Sequence, residues 1–352
     1  MLSNSFKFNY SIGAVANGIK TDMFTFFLLF FYARVIGLDP ILASLAIGIA
    51  LIVDSVTDPV MGAISDRTNS KYGRRHPYMF VSFIPVSIFY VLLFTPTSEW
   101  DLSQSQLFWW MFVCASLTRI GMTLFEVPHR SFGAEITKNY EERTKLFSWR
   151  ELFAWTAGIS NAFLGYFIFF KSTPEYPLGQ LNPEAYFPLA ITGGIIMVIS
   201  ILFSSIRTKS NIKNLSTWSG STSLPQIFSE LKIAVTNKSF ILFFLGSLTL
   251  SISWGLLNSL TLFINTDFWG LRGDQLGIFL FVYFPAAFLA FSITPSLVSK
   301  FGKRKFVLLC LLGVALASPM AFIFYNLGLT PEKGTTNLVL FLCIPLIFLS
   351  TL

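Results

Sequence analysis

Charge is scarce in this chain. Only 12% of its 352 residues are Asp, Glu, Lys or Arg, where a soluble globular protein carries about 25%. So few charges cannot cover a fold of this size in water. Histidine is nearly absent, with two copies, His76 and His129, and neither has the neighbours of a metal site or proton relay. The three cysteines, Cys114, Cys310 and Cys343, are an odd number without metal spacing. They fall inside apolar stretches and give no disulfide framework. A glycine-rich phosphate loop and a nucleophile–base constellation are also missing, so nothing supports ATP-driven pumping or catalysis. No short charged segment with an apolar core and cleavage site is evident at the start, so the first apolar run is expected to direct insertion.

What the chain has in quantity is apolar length. Hydrophobic residues make up 53% and phenylalanine alone numbers 40. A bilayer core of about 30 Å takes about 20 apolar residues per helix. Ten such runs are predicted, at 10–36, 41–65, 77–96, 104–130, 146–170, 186–206, 238–265, 275–299, 305–326 and 336–352. The expected class is therefore an all-α, multi-pass protein of the cell membrane.

The net charge of +7 follows from topology and does not call for a nucleic-acid partner. With the N-terminus in the cytoplasm, seventeen basic residues fall in connections on that side, including Arg67, Lys71, Arg74, Arg75, Arg130, Lys138, Arg143, Lys145 and Lys300. The other side keeps only Arg34, Lys171, Arg272 and Lys333. The positive-inside rule sets the orientation accordingly.

The chain also repeats. Ser70-Lys71-Tyr72-Gly73-Arg74-Arg75 after the second run agrees in residue type, position by position, with Ser299-Lys300-Phe301-Gly302-Lys303-Arg304 after the eighth. Both fall on the cytoplasmic side, so the halves run parallel. Two parallel six-helix halves are the plan of major facilitator transporters. The expected division is 1–206 for helices 1 to 6, a polar cytoplasmic linker at 207–237, and 238–352 for helices 7 to 10. Only four runs follow the linker, so two further helices are expected beyond residue 352.

Ionisable residues inside the runs are costly, about 2.5–3.5 kcal/mol each at a helix centre on insertion scales, so they are expected to be functional or paired. They are Lys20 and Asp22, Asp54 and Asp58, Arg119 and Glu126, and Arg150 with Glu151. At a rise of about 1.5 Å per residue, Asp58, Asp54, Glu126, Arg150 and Asp22 lie about 10–20 Å below the cytoplasmic edge. Asp54 and Asp58 share a helix face, and two unpaired carboxylates there repel. A bound Na⁺ or a shared proton relieves that repulsion; pairing with Arg119 or Arg150 is the structural alternative.

These residues carry a resemblance. Asp54-Ser-Val-Thr-Asp58-Pro59-Val-Met-Gly62, Asp66-Arg67 and Gly73-Arg74-Arg75-His76-Pro77 closely resemble the helix 2–3 signature of the glycoside–pentoside–hexuronide:cation symporters. Glu126-Val127-Pro128 resembles that family's acid-aliphatic-proline stretch, and Ser148-Trp149-Arg150 the segment around its helix 5 arginine. The resemblance implies cation binding at Asp54, Asp58 and Thr123, with no metal beyond a Na⁺ there and no cofactor. It implies sugar binding at Glu126 and Arg150. Where the family has a further sugar-binding Asp this chain has Gly18, so Asn17 or Asp22 is expected to substitute. Gly62, Asp66, Arg67, Gly73, Arg74 and Arg75 form a charge cluster typical of major facilitators and are expected to latch the inner gate. In the seventh run, Ser251, Trp254, Asn258, Thr261 and Asn265 make a polar stripe, from which Asn258 is expected to reach substrate. The expected activity is Na⁺- or H⁺-coupled symport of a sugar or glycoside by a monomer among membrane lipids. A carrier of lysolipids or other amphiphiles, or a non-transporting sensor or remnant, is the alternative.

Overall fold

The computed structural model describes residues 2–210, 236–279, 281–282, 297 and 300–351. Among these residues every regular element is helical. α1 runs through Asn4–Ser11, Ala14–Asp22 and Leu28–Phe30, with π-helical turns at Met23–Phe27 and Phe31–Ile36. α2 is Pro40–Arg67, α3 His76–Leu93, α4 Gln104–Glu135, α5 Tyr140–Phe169 and α6 Tyr186–Thr208. α7 is Lys238–Phe263, extended by a π turn at Ile264–Phe268. α8, the ninth predicted run, contains Lys303–Ala317 and Met320–Asn326. α9 is Thr336–Thr351.

Seven of the described helices are long and apolar enough to cross a membrane. α1 and the 16-residue α9 do not meet that measure. The eighth predicted run lies largely outside the described residues, as does most of the linker at 207–237.

Helix boundaries follow local chemistry. Asp39 caps α2, its carboxylate accepting from Ile41 N at 2.8 Å and Leu42 N at 3.2 Å, and Pro40 occupies the first helical position. Ser103 and Gln106 form a reciprocal capping box at the start of α4. Outward side chains of α2 include Ile41, Leu45, Ile52, Val56 and Val60, all exposed. Such a surface is stable in lipid and not in water.

The chain packs as two units, Met1–Asn161 with Pro183–Leu262, and Ala162–Asn182 with Phe263–Leu352. In the first, α4 packs along both α2 and α3, and α6 packs on α3 and on the N-terminal part of α1. Its core near the N-terminus holds Phe6, Tyr10, Phe132 and Leu146. In the second, the buried Gln180 donates to Thr266 Oγ1 at 3.1 Å and to the Leu271 carbonyl at 2.8 Å.

Local conformation extends the repeat. Gly73 and Gly302 both have φ 76°. A second correspondence was not read from the sequence. α1 ends in a π turn followed by Gly37 at φ 84°, and Leu38 N donates to Tyr32 O at 2.8 Å. α7 ends in a π turn followed by Gly270 at φ 67°, and Leu271 N donates to Asn265 O at 2.9 Å. Positive φ is cheap only for glycine, so these glycines mark equivalent turns.

Candidate functional site

Four polar residues of α4, Arg119, Thr123, Glu126 and Arg130, recur at steps of four, three and four, which sets them on one face. Two clusters form along that face.

The first joins α4 to α2. The Thr123 hydroxyl lies 2.7 Å from Asp58 Oδ1 and 3.3 Å from Asp54 Oδ1. The two carboxylates thus meet at one hydroxyl, as their spacing predicts. Arg119 Nη1 lies 3.0 Å from Asp54 Oδ2. Its guanidinium also covers the Phe24 ring of α1 at 5.0 Å, and Lys20 Nζ lies over the same ring at 6.0 Å. Asp54 is therefore compensated by a resident cation. Among the described residues Asp58 has no ion pair, and it is more exposed. Pro59 follows it inside the helix, where it deprives the carbonyl four residues earlier of its usual partner.

The second cluster joins α4 to α5. Glu126 Oε1 accepts from Arg150 Nη2 and, at 2.6 Å, from Arg130 Nε. Arg150 also donates through Nη1 to Glu151, and Arg130 lies 3.7 Å from the same carboxylate. The Arg150 side chain is fully buried, yet among the described residues its Nε and the Glu126 Oε2 have no hydrogen-bond partner. This buried pair therefore keeps unused donor and acceptor capacity. A guanidinium and a carboxylate held together suit vicinal hydroxyls, which offer both an O–H and a lone pair.

The α1 residues divide. A Cβ on Gly18 would stand 1.9 Å from the Ala154 carbonyl oxygen, so α1 and α5 meet backbone to backbone. No side chain fits there without moving a helix. One turn on, Asp22 lies against Gly158, where a Cβ would come within 2.3 Å of the carboxylate. Asp22 therefore sits on the α5 line Arg150, Ala154, Gly158, four residues apart at each step. Asn17 is half-buried, with its Oδ1 3.5 Å from the Thr21 hydroxyl. Asn258 donates to Trp254 O of its own helix at 2.7 Å.

At the C-terminal end of α2, Arg75 pairs with Asp66 at 2.9 Å and with Glu135, and Arg74 reaches Glu135 at 2.8 Å. Gly73 supplies the turn and Ser70 Oγ donates to its carbonyl at 2.7 Å. Gly62 faces Val127 of α4, and Arg67 is exposed at the end of α2. Glu135 was missed by sequence reasoning; the signal was an acid in the last turn of α4 among basic connections. His129 and His76 have packing partners. His129 stacks on Tyr10 at 4.1 Å and bonds its carbonyl oxygen at 3.0 Å, while His76 bonds Thr208 at 3.1 Å. Among the described residues no group of His, Cys, Asp and Glu is arranged to hold a metal ion.

Comparison with known proteins identifies the family. An uncharacterized symporter of Synechocystis is 30% identical over 210 residues, covering 57% of this chain and 36% of that protein. The isoprimeverose transporter of Lactiplantibacillus pentosus is 24% identical over 315 residues, covering 89% of this chain and 63% of that one. Matches to the first three curated relatives span only 33–41% of their lengths. The inward-open xylose transporter of Escherichia coli shares the fold at a TM-score of 0.65 and 15% identity, over 99% of this chain and 78% of the other. The MFS/sugar transport protein family matches residues 9–351, and on that match the chain belongs to this family.

Proposed function

We propose that the protein is a cation-coupled symporter of a sugar or glycoside, working by alternating access. The observation that carries this reading is the α4 face, where the Asp54–Asp58–Thr123 cluster and the Glu126–Arg150 pair share one rigid helix. Thr123 and Glu126 are three residues apart. A cation drawn to the carboxylates pulls on Thr123, and the same displacement reaches Glu126. Substrate hydroxyls then take up the free donor of Arg150 and the free acceptor of Glu126. Asp22, on the α5 line with Arg150, stands in for the acid that Gly18 excludes.

In this reading the membrane is the plasma membrane, and the distribution of basic residues supports a cytoplasmic N-terminus. The halves are 1–206 and 238–352 about the linker at 207–237, and the Arg74–Arg75–Glu135–Asp66 cluster acts as an inner-side latch. The protein works as a monomer with Na⁺ or H⁺ as its coupling ion and no cofactor.

The test is uptake of labelled glycosides into vesicles with and without a Na⁺ or proton gradient. Gradient-driven accumulation that is lost in Asp58→Asn and Glu126→Gln supports the reading. Accumulation that ignores both gradients removes the coupling.

A further inference from the structure

The two carboxylates of α2 are not treated alike. Asp54 has a guanidinium at 3.0 Å, whereas among the described residues the Asp58 carboxylate has the Thr123 hydroxyl at 2.7 Å and no salt bridge. The pair with Arg119 is made by one nitrogen, and among the described residues Arg119 Nε has no hydrogen-bond partner. The Phe24 ring at 5.0 Å adds a weaker hold on the guanidinium. Such an end-on contact gives up the second hydrogen bond of a forked pair and is correspondingly easier to displace. Charge balance points the same way. Arg119 and Lys20 lie over one ring and supply two positive charges beside two carboxylates. A further cation entering while Arg119 stays on Asp54 meets a neutralised site and gains little.

We infer that Arg119 is a resident cation of the coupling site, one that an incoming ion must displace from Asp54. Asp58 is then the first ligand of the incoming ion. Asp54 joins only after Arg119 swings away, and Arg119 sets the affinity of the site. This inference rests on the assignment of Asp54 and Asp58 to cation binding, but not on the sugar.

The experiment therefore reads cation binding without sugar. The purified protein is titrated with NaCl at constant ionic strength, with choline as the replaced ion and the thermal unfolding midpoint as readout. Arg119→Gln should lower the half-saturating Na⁺ concentration at least tenfold relative to wild type. Arg119→Lys should stay near wild type, and Asp58→Asn added to Arg119→Gln should abolish the Na⁺-specific shift. Phe24→Leu keeps every charge and loosens only the aromatic hold. It should lower the half-saturating concentration about two- to fivefold, and it decides the matter if Arg119→Gln does not fold. A Na⁺ response in Arg119→Gln equal to or weaker than that of wild type, including none in either, overturns the inference. So does an unchanged response in Phe24→Leu where that variant decides. Loss of glycoside uptake in wild-type vesicles would overturn the sugar assignment alone, because the Na⁺ titration gives its answer without substrate.

Discussion

At the scale of single residues, the decisive positions are those where a side chain is buried with part of its bonding capacity unused. Glu126 compensates Arg150, whose side chain is fully buried. Glu126→Gln keeps the shape and removes the charge. Breaking a buried pair by taking one partner costs about 3–5 kcal/mol, but here Glu151 still holds Arg150, so the fold should survive. Glycoside affinity should fall at least tenfold, about 1.4 kcal/mol, with membrane expression near wild type; equilibrium binding of labelled glycoside checks it. Gly18 is the opposite case, since nothing larger fits. Gly18→Asp, which would restore the family's acid, drives a Cβ into the Ala154 backbone. Overpacking costs about 1–3 kcal/mol, so the variant should unfold at a lower temperature in detergent and should not gain sugar affinity.

At the scale of elements, α4 does most of the joining. It contacts α2 through Asp54, Asp58 and Thr123, α5 through Glu126, and the α2–α3 connection through Glu135. The last contact fastens a short basic loop to a helix end. The Glu135 side chain is 25% exposed, so screening limits its worth to about 1 kcal/mol. Glu135→Gln should therefore release the loop modestly, with a roughly fivefold rise in trypsin cleavage at Lys71; gel analysis of limited digests of the purified protein measures it. Unchanged cleavage would mean that Asp66 alone holds Arg75.

At the scale of the whole molecule, orientation and coupling are the testable properties. Lys138→Cys and Glu175→Cys, in a background with Cys114, Cys310 and Cys343 replaced, should react with an impermeant thiol reagent from opposite sides, Lys138→Cys only from the cytoplasm. Labelling of Lys138→Cys from outside would reverse the orientation, and labelling of both from one side would mean that α5 does not cross. Coupling obeys linkage: if cation binding tightens sugar binding, sugar must tighten cation binding by the same factor. Asp58→Asn should lose both halves of that exchange while sugar still binds. Sugar affinity measured at several Na⁺ concentrations and pH values checks the first half, and cation affinity with and without sugar the second. Full retention of the exchange in Asp58→Asn would move the coupling site to Glu126 or Asp22.

Much of this architecture is written locally. Hydropathy marks the helices, because a segment must bury its backbone polar groups in lipid by itself. The Gly73 and Gly302 segments mark the repeat. The i, i+4 spacing alone brought Asp54 and Asp58 to one face, and Glu126 meets Arg150 as the resemblance implied. What the linear pattern did not contain is which charge answers which. Arg119 had two acidic runs within reach of its helix, and its choice of Asp54 depends on how α4 is rotated against α2. Glu135 meets Arg74 and Arg75 only because α4 ends beside the loop that carries them. The exclusion of a side chain at Gly18 arises from a backbone approach between helices far apart in sequence. Periodicity fixes which residues share a face, since a helix closes its own hydrogen bonds; the partner of that face is chosen by packing, which no single helix can specify.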